Sequence, residues 1–327
     1  MISLETKYLG LTLKNPIIIS SSGLTDSVEK IKRLEKAGAG AVVLKSLFEE
    51  QIKAEAGDMI SSNIDNYPDA ADYINSYIKD NSLDQYLTLI EEAKKQTQIP
   101  IIASINCYSP EEWTNFAAKI ESAGADALEL NVFYLPTDKD FTSADYEKVY
   151  FDITVKIKNK IKIPFAIKLN PHFTNLTYII DQVFYRGASG VVLFNRFYEP
   201  DIDITTKKFK AAHVLSSPAD LRNTLRWIAI TTAQIENIDI AASTGAHSGE
   251  SVIKLLLAGA KAVQMCSAVY SKGPEVISSA LKELSDWMSQ NKYTSIEDFR
   301  GSLNYKHIPD PSIYERSQFM KYFSSYH

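Results

Sequence analysis

Ala125-Asp-Ala-Leu-Glu-Leu-Asn-Val-Phe-Tyr-Leu-Pro136 reads as one buried strand, Ala127 to Leu130, that stops at a polar residue, Asn131. An aromatic, proline-bearing loop follows. A strand whose last residue turns from apolar to polar belongs, as a rule, to a parallel sheet with its working face at the carboxyl ends. The fold therefore hangs on whether other strands end in the same way.

Seven more do. Lys36-Ala-Gly-Ala-Gly-Ala-Val-Val-Leu44, Ser122-Ala-Gly-Ala-Asp-Ala-Leu-Glu-Leu130, Arg186-Gly-Ala-Ser-Gly-Val-Val-Leu193 and Ala258-Gly-Ala-Lys-Ala-Val-Gln-Met265 are variants of one unit. In each, a helix-period segment stops at a glycine, which takes a left-handed helix cap without steric cost, and a Val/Leu-rich strand begins. Between them fall Asn15-Pro-Ile-Ile-Ile-Ser20, Ile99-Pro-Ile-Ile-Ala-Ser104, Ile163-Pro-Phe-Ala-Ile-Lys168 and Ile238-Asp-Ile-Ala-Ala-Ser243. Proline is acceptable at the first residue of a strand, where no ladder donor is needed. The two patterns alternate with helix-length segments between them, which makes eight strands and predicts an α/β fold, a (β/α)8 TIM barrel. A doubly wound open sheet would not need eight near-equivalent units.

The predicted strands are Ile17–Ser20, Ala41–Lys45, Ile101–Ile105, Ala127–Asn131, Phe165–Leu169, Val191–Asn195, Ile240–Ser243 and Ala262–Cys266. The organisation expected is a single domain over residues 1–327, with a hairpin at 4–14 closing the barrel bottom. Long insertions after strand 2 (47–82) and strand 6 (196–218) read as lids or interface elements. A C-terminal segment at 274–327 opens with an amphipathic helix from Pro274 to about Gln290.

The chain has 327 residues and a formal net charge of −5, with no run of like charges that would suit nucleic acid. No apolar run reaches the ~18 residues needed to span a bilayer, and Met1 to Lys7 lacks a signal-peptide core. Two cysteines, Cys107 and Cys266, make neither a disulfide framework nor a metal pattern. The expectation is a cytoplasmic protein with a small-molecule substrate, no nucleic acid, no membrane and no metal.

The carboxyl ends collect Ser20-Ser-Ser-Gly23, Lys45-Ser46, Ser104, Asn106, Asn131, Lys168, Asn170, Asn195, Ser243-Thr-Gly245 and Cys266-Ser267. No Asp or Glu ends a strand, and the histidines share no metal-ligand spacing, which disfavours paired-carboxylate and zinc chemistry. Amides, hydroxyls and two lysines suit a neutral or anionic planar ligand. The turns after strands seven and eight lie where barrels commonly bind phosphate, with backbone N–H groups and the helix opened by Ser248-Gly249 as donors. Read singly, many of these residues have plainer roles. Cys107 and Cys266 read as packing, Phe133 and Tyr134 as a hydrophobic wall, and His172 and His213 as surface residues.

Taken together, Leu13-Lys-Asn-Pro16 with Ser22-Gly23, Leu44-Lys-Ser46, Leu128-Glu-Leu-Asn131, Ala166-Ile-Lys-Leu169, Val192-Leu-Phe-Asn195 and Leu215-Ser-Ser-Pro-Ala219 resemble the dihydroorotate dehydrogenase family. Its soluble, membrane-independent members are the nearest in pattern. The resemblance implies FMN as cofactor, held by Ser22, Gly23, Lys45, Ser46, Asn131, Lys168, Ser217, Gly245, Ala246 and Ser267. It implies substrate contacts from Asn63, Asn131 and Asn195, and a homodimer. The implied reaction passes hydride between a CH–CH substrate, nominally dihydroorotate going to orotate in pyrimidine biosynthesis, and flavin N5. Lys45 and Lys168 would flank that chemistry. The loop after strand four departs from the family's Asn-x-Ser-Cys-Pro-Asn, and Tyr134 stands where the catalytic base should be. A phenol titrating near ~10 is a poor base at neutral pH unless a cation depresses it. A flavoprotein reductase or dehydrogenase for another planar unsaturated substrate, and a flavin-binding pseudoenzyme, are the alternatives.

Overall fold

A computed structural model describes residues 2–49, 69–107, 110–197, 199–211 and 213–315. Eight parallel strands form its centre: β1 (Ile17–Ile19), β2 (Ala41–Val43), β3 (Ile101–Asn106), β4 (Ala127–Asn131), β5 (Phe165–Leu169), β6 (Gly190–Leu193), β7 (Asp239–Ser243) and β8 (Ala262–Met265). Each pairs with the next in chain order, and β8 returns to β1, so the sheet closes as the expected (β/α)8 barrel. Closure leaves no edge strand on the barrel itself.

Helices α1 (Val28–Lys36), α2 (Asp69–Gln96), α3 (Pro110–Ser122), α4 (Ser143–Lys160), α5 (Leu176–Tyr185), α6 (Leu221–Gln234) and α7 (Gly249–Ala258) ring the strands, and α8 (Glu275–Gln290) follows β8. The repeat glycines Gly38, Gly124, Gly187 and Gly259 have φ of 109°, 90°, 106° and 117°, the left-handed turns that their position after each helix requires. The first insertion is shorter in loop than the sequence suggests: α2 already begins at Asp69, and residues 50–68, including Asn63, lie outside the described residues. The second carries an antiparallel hairpin, Pro200–Asp203 with Lys208–Ala211, in which Ile202 stands opposite Phe209. The amphipathic helix expected from Pro274 is α8. Among the described residues no helix is long and apolar enough to cross a membrane.

Strand side chains alternate between two cores, because the pleat repeats every two residues. Leu128 and Leu130 of β4, Phe165 and Ile167 of β5, and Val263 and Met265 of β8 face the helices, beside the buried Trp113 and Phe116. Ile18, Val43, Ile102, Ala127, Ala166, Val192, Ala241 and Ala262 fill the lower barrel. Tyr8, Leu9 and Leu13, from the hairpin Thr6–Tyr8 and Leu11–Leu13, plug it from below. Asp239 pins that plug: its carboxylate accepts from the Leu9 amide at 2.6 Å and pairs with Lys261 at 2.5 Å. One inward step higher the lining turns polar, with Ser20, Ser104, Glu129, Lys168, Ser243 and Gln264, all buried. The change from apolar to polar inside the barrel fixes which end can hold a polar ligand.

Leu13 is fully buried in the plug. Leu13→Ala should destabilise the protein by about 2–5 kcal/mol through lost burial and a residual cavity, without changing the fold. A lower denaturant midpoint with an unchanged far-UV spectrum would bear this out; a shift under about 0.5 kcal/mol would show that the plug does not close the core.

Candidate active site

Lys168 near the end of β5 is 7% exposed, and Glu129 on β4 is 2% exposed. The lysine Nζ lies 3.3 Å from Glu129 Oε1, and donates to Ser20 Oγ at 3.2 Å and to Gln264 Oε1 at 3.3 Å. Gln264 Nε2 in turn donates to Glu129 Oε2 at 2.6 Å, and Ser20 Oγ donates to Gln264 Oε1 at 2.9 Å. Four strands, β1, β4, β5 and β8, thus meet through one closed set of hydrogen bonds. A second set ties the segments just after β1 and β2 to β3. Ser46 Oγ sits 3.0 Å from Ser21 Oγ and 2.7 Å from Ser104 Oγ. The Tyr86 phenol accepts from the Ser104 amide and donates to its carbonyl. Burial pushes that phenol above its ordinary range, so it keeps the proton it donates.

Above this layer opens a cavity of about 390 Å³, within the usual range of ~300–1,000 Å³ for small-molecule sites. Ser20, Lys168 and Gln264 line one part of it; Ser216, Gly245, Ala246 and Ser267 line another; Phe194, Asn195, Arg196, Phe197, Glu199 and Tyr270 are among the rest of the wall, as is His213, which reads from sequence only as a surface residue. The second part is built for close backbone approach. Thr244 and Gly245 have φ of 80° and 86°. For a β-branched threonine this conformation costs on the order of 1–3 kcal/mol. A Cβ on Gly245 would stand 2.2 Å from the Leu221 amide nitrogen, so only glycine fits there. Ser216 donates its amide to Ser267 Oγ at 2.9 Å, and its hydroxyl lies 3.1 Å from His247 Nε2.

The residues named from sequence divide by place. Lys168, Asn195, Gly245, Ala246 and Ser267 line the cavity together. Gly23 is at its margin, where a Cβ would meet Tyr270 Oη at 3.0 Å. Ser22 is turned into its own loop, accepting from the Leu24 amide. Ser46 is buried in the serine set, and Lys45 is exposed. Asn131 sits one step behind the wall, its Oδ1 accepting from Asn195 Nδ2. Ser217 gives its amide to Asp220 at 2.7 Å, and its neighbour Ser216 takes the cavity position. Ser248 caps α7 and Gly249 packs on Glu283, so neither lines the cavity. Tyr134 borders a second cavity of about 160 Å³ beside Tyr150, Asn170 and His172. Asn170 Nδ2 holds that loop by donating to the Tyr134 carbonyl at 3.3 Å and to Tyr150 Oη at 3.0 Å. Phe133 and His172 instead meet Phe197, with ring centroids at 4.4 and 5.4 Å, and join the three loops at the mouth.

Reading strand ends alone missed Glu129 and Gln264. Both were visible as polar residues flanked by apolar neighbours at inward positions of their strands. Arg196 was missed too: its guanidinium pairs with Asp220 at 3.0 Å and donates to the His213 carbonyl at 2.8 Å, tying the second insertion to α6. Cys266 borders the cavity, and burial pushes its thiol up, in keeping with an inert side chain.

The family model described as dihydroorotate dehydrogenase matches residues 3–288. A relative from Methanocaldococcus jannaschii, named dihydroorotate dehydrogenase B (NAD(+)), catalytic subunit, is 28% identical over 299 residues, 89% of this chain and 95% of its own. One of the same name from Methanocella arvoryzae is 32% identical over 267 residues, 80% of this chain and 85% of its own. Dihydroorotate dehydrogenase A (fumarate) from Limosilactobacillus reuteri is 29% identical over 283 residues, 82% and 87% of the two chains.

Burial first, and the Lys272 charge second, push the His247 imidazole below its ordinary value. The unfolded chain then binds a proton that the folded protein resists. Stability is complete above about pH 6.5 and falls as pH drops below it. Melting curves at pH 7.5 and 5.5 should show a smaller acid-side loss in His247→Gln than in the wild type; equal losses would refute this.

Proposed function

The chain belongs to the dihydroorotate dehydrogenase family, oxidoreductases acting on CH–CH groups that are generally flavin-dependent, and on that premise we propose that its cavity takes FMN. The observation that carries this reading is the two-part lining. Small and hydroxyl-bearing residues with close backbone (Ser216, Gly245, Ala246, Ser267) suit a phosphate, and Lys168, Gln264 and Ser20 suit the polar edge of a flat ring. The donor set fits the group. Gly23 and Asn131 would stand at the ring's margin, Ser22, Lys45 and Ser46 would join it by turning toward the cavity, and Ser217 would support the phosphate loop through Asp220. When bound, FMN supplies the two-electron step by exchanging hydride with substrate at N5. The protein's part is to hold the ring against the barrel mouth, present Lys168 where negative charge grows, and exclude water.

Dihydroorotate is the nominal substrate, with Asn131, Asn195 and Asn63 as its contacts. Asn195 donating to Asn131 supports the first two as one paired amide unit. Tyr134 takes the acid–base role in this reading, which requires the loop after β4 to turn its phenol out of the second cavity. A second reading, another planar unsaturated substrate, draws on the Phe133–Phe197 ring pair at the mouth, which offers a stacking wall where the family has small polar residues. The protein acts as a single-domain cytoplasmic homodimer. Relatives named for NAD(+) and for fumarate make these two the first acceptors to try. The name "catalytic subunit" extends the search to a partner chain.

Purified protein should be yellow and bleach when dihydroorotate is added without oxygen. A colourless protein that takes up no added FMN would sink the cofactor assignment; a yellow one that dihydroorotate leaves oxidised would favour the second reading. Tyr134→Phe should keep its flavin and slow reduction by dihydroorotate roughly 10²–10⁴-fold. An unchanged rate would remove Tyr134 from the chemistry.

A further inference from the structure

Lys168 and Gln264 line the cavity; Glu129 does not, although it holds both. The carboxylate lies behind them, 2% exposed, with one oxygen on the lysine and the other on the glutamine amide. A buried ion pair is a weak source of stability, because removing both charges from water costs several kcal/mol and an apolar pair of the same volume often does as well. The pair is therefore better explained by what it does to the cavity than by what it adds to folding.

Two effects follow from the geometry. Glu129 partly offsets the positive charge that Lys168 turns to the cavity. By accepting from Gln264 Nε2 it also fixes the orientation of that amide, so that Gln264 Oε1 faces Lys168 Nζ and Ser20 Oγ rather than presenting its NH₂ to the lysine. We infer that Glu129 is the positioning residue that sets the electron affinity of the flavin, by fixing the net charge and the donor orientation on the cavity side where Lys168 stands. This rests on the FMN reading above and goes beyond it. Glu129 touches neither cofactor nor substrate; it acts through Lys168 and Gln264.

The charges nearest the ring differ in four proteins that can be compared with FMN at saturation. Of the Lys168–Glu129 pair, Glu129→Gln leaves the near cation alone, the wild type has both charges, Glu129→Gln with Lys168→Met has neither, and Lys168→Met leaves the farther carboxylate alone; Arg196 and Glu199, which also line the cavity, are the same in all four. Midpoint potentials should fall in that order, from most positive to most negative. If Glu129→Gln fails to fold, the neutral double variant and Lys168→Met are compared instead above about pH 9, where a lone buried carboxylate ionises. Between Glu129→Gln and the wild type, in which pairing with Lys168 keeps the carboxylate ionised, at least a tenfold change in the oxidised-to-reduced equilibrium is expected, about 30 mV for a two-electron couple. It should persist in high salt, because the carboxylate is buried. Equal potentials in those two proteins would overturn the inference and leave Glu129 a structural residue, whatever the melting temperatures. A wild-type protein that takes up no FMN would overturn the cofactor reading and this inference together, and shows itself as a missing visible spectrum before any variant is made.

Discussion

A lysine held inside a barrel must be given back what it loses by leaving water. Here Glu129, Gln264 and Ser20 do so, from β4, β8 and β1, around a lysine on β5. Each pair of these groups meets only if the strands hold their register around a closed ring. Slipping one strand by a residue would turn its polar side chain out among the helices and leave its partners unpaired in the core, at several kcal/mol. The network therefore depends on the barrel, and it also marks which register is right.

Below that layer the interior is apolar and plugged by Tyr8, Leu9 and Leu13; above it, the lining serves the cavity. The barrel thus works as a graded column, stable at the bottom and chemical at the top. The strained Thr244–Gly245 turn belongs to the same logic. Its conformation is held by Thr244 Oγ1 donating to the Phe194 carbonyl at 3.2 Å and by the pressure of α6 against Gly245. Strain of this kind persists where the surroundings over-determine it, which is common at ligand sites. The loops after β4, β5 and β6 meet through Phe133, His172 and Phe197.

Much of the fold was legible beforehand. The four helix-stop glycines and the four proline- or aspartate-led strands name the strands to within a residue or two, because both follow from local rules, left-handed caps and ladder donors. Lys168, Asn195, Gly245, Ala246 and Ser267 were legible as strand-end residues, since a strand's end leads to the mouth wherever the strand lies. Glu129 and Gln264 were not read, although the period-two alternation that separates inward from outward residues would have pointed to both. Ser216 in place of Ser217, and the setting of Tyr134 beside Asn170 and Tyr150, could not have been read at all. Loop residues follow no period, and a single turn decides which neighbour faces the site.

By itself the sequence determined the number and order of strands, the end at which they turn polar, and part of the cavity lining, Lys168, Asn195 and Ser267 among it. These depend on spacing along the chain, which survives without knowledge of neighbours. Only the tertiary structure decided that Lys168 has a carboxylate behind it, that Asn195 reaches Asn131, and that Tyr134 borders the second cavity while Phe133 packs on Phe197. Those facts depend on distances between strands and loops tens of residues apart, and such distances exist only once the ring has closed.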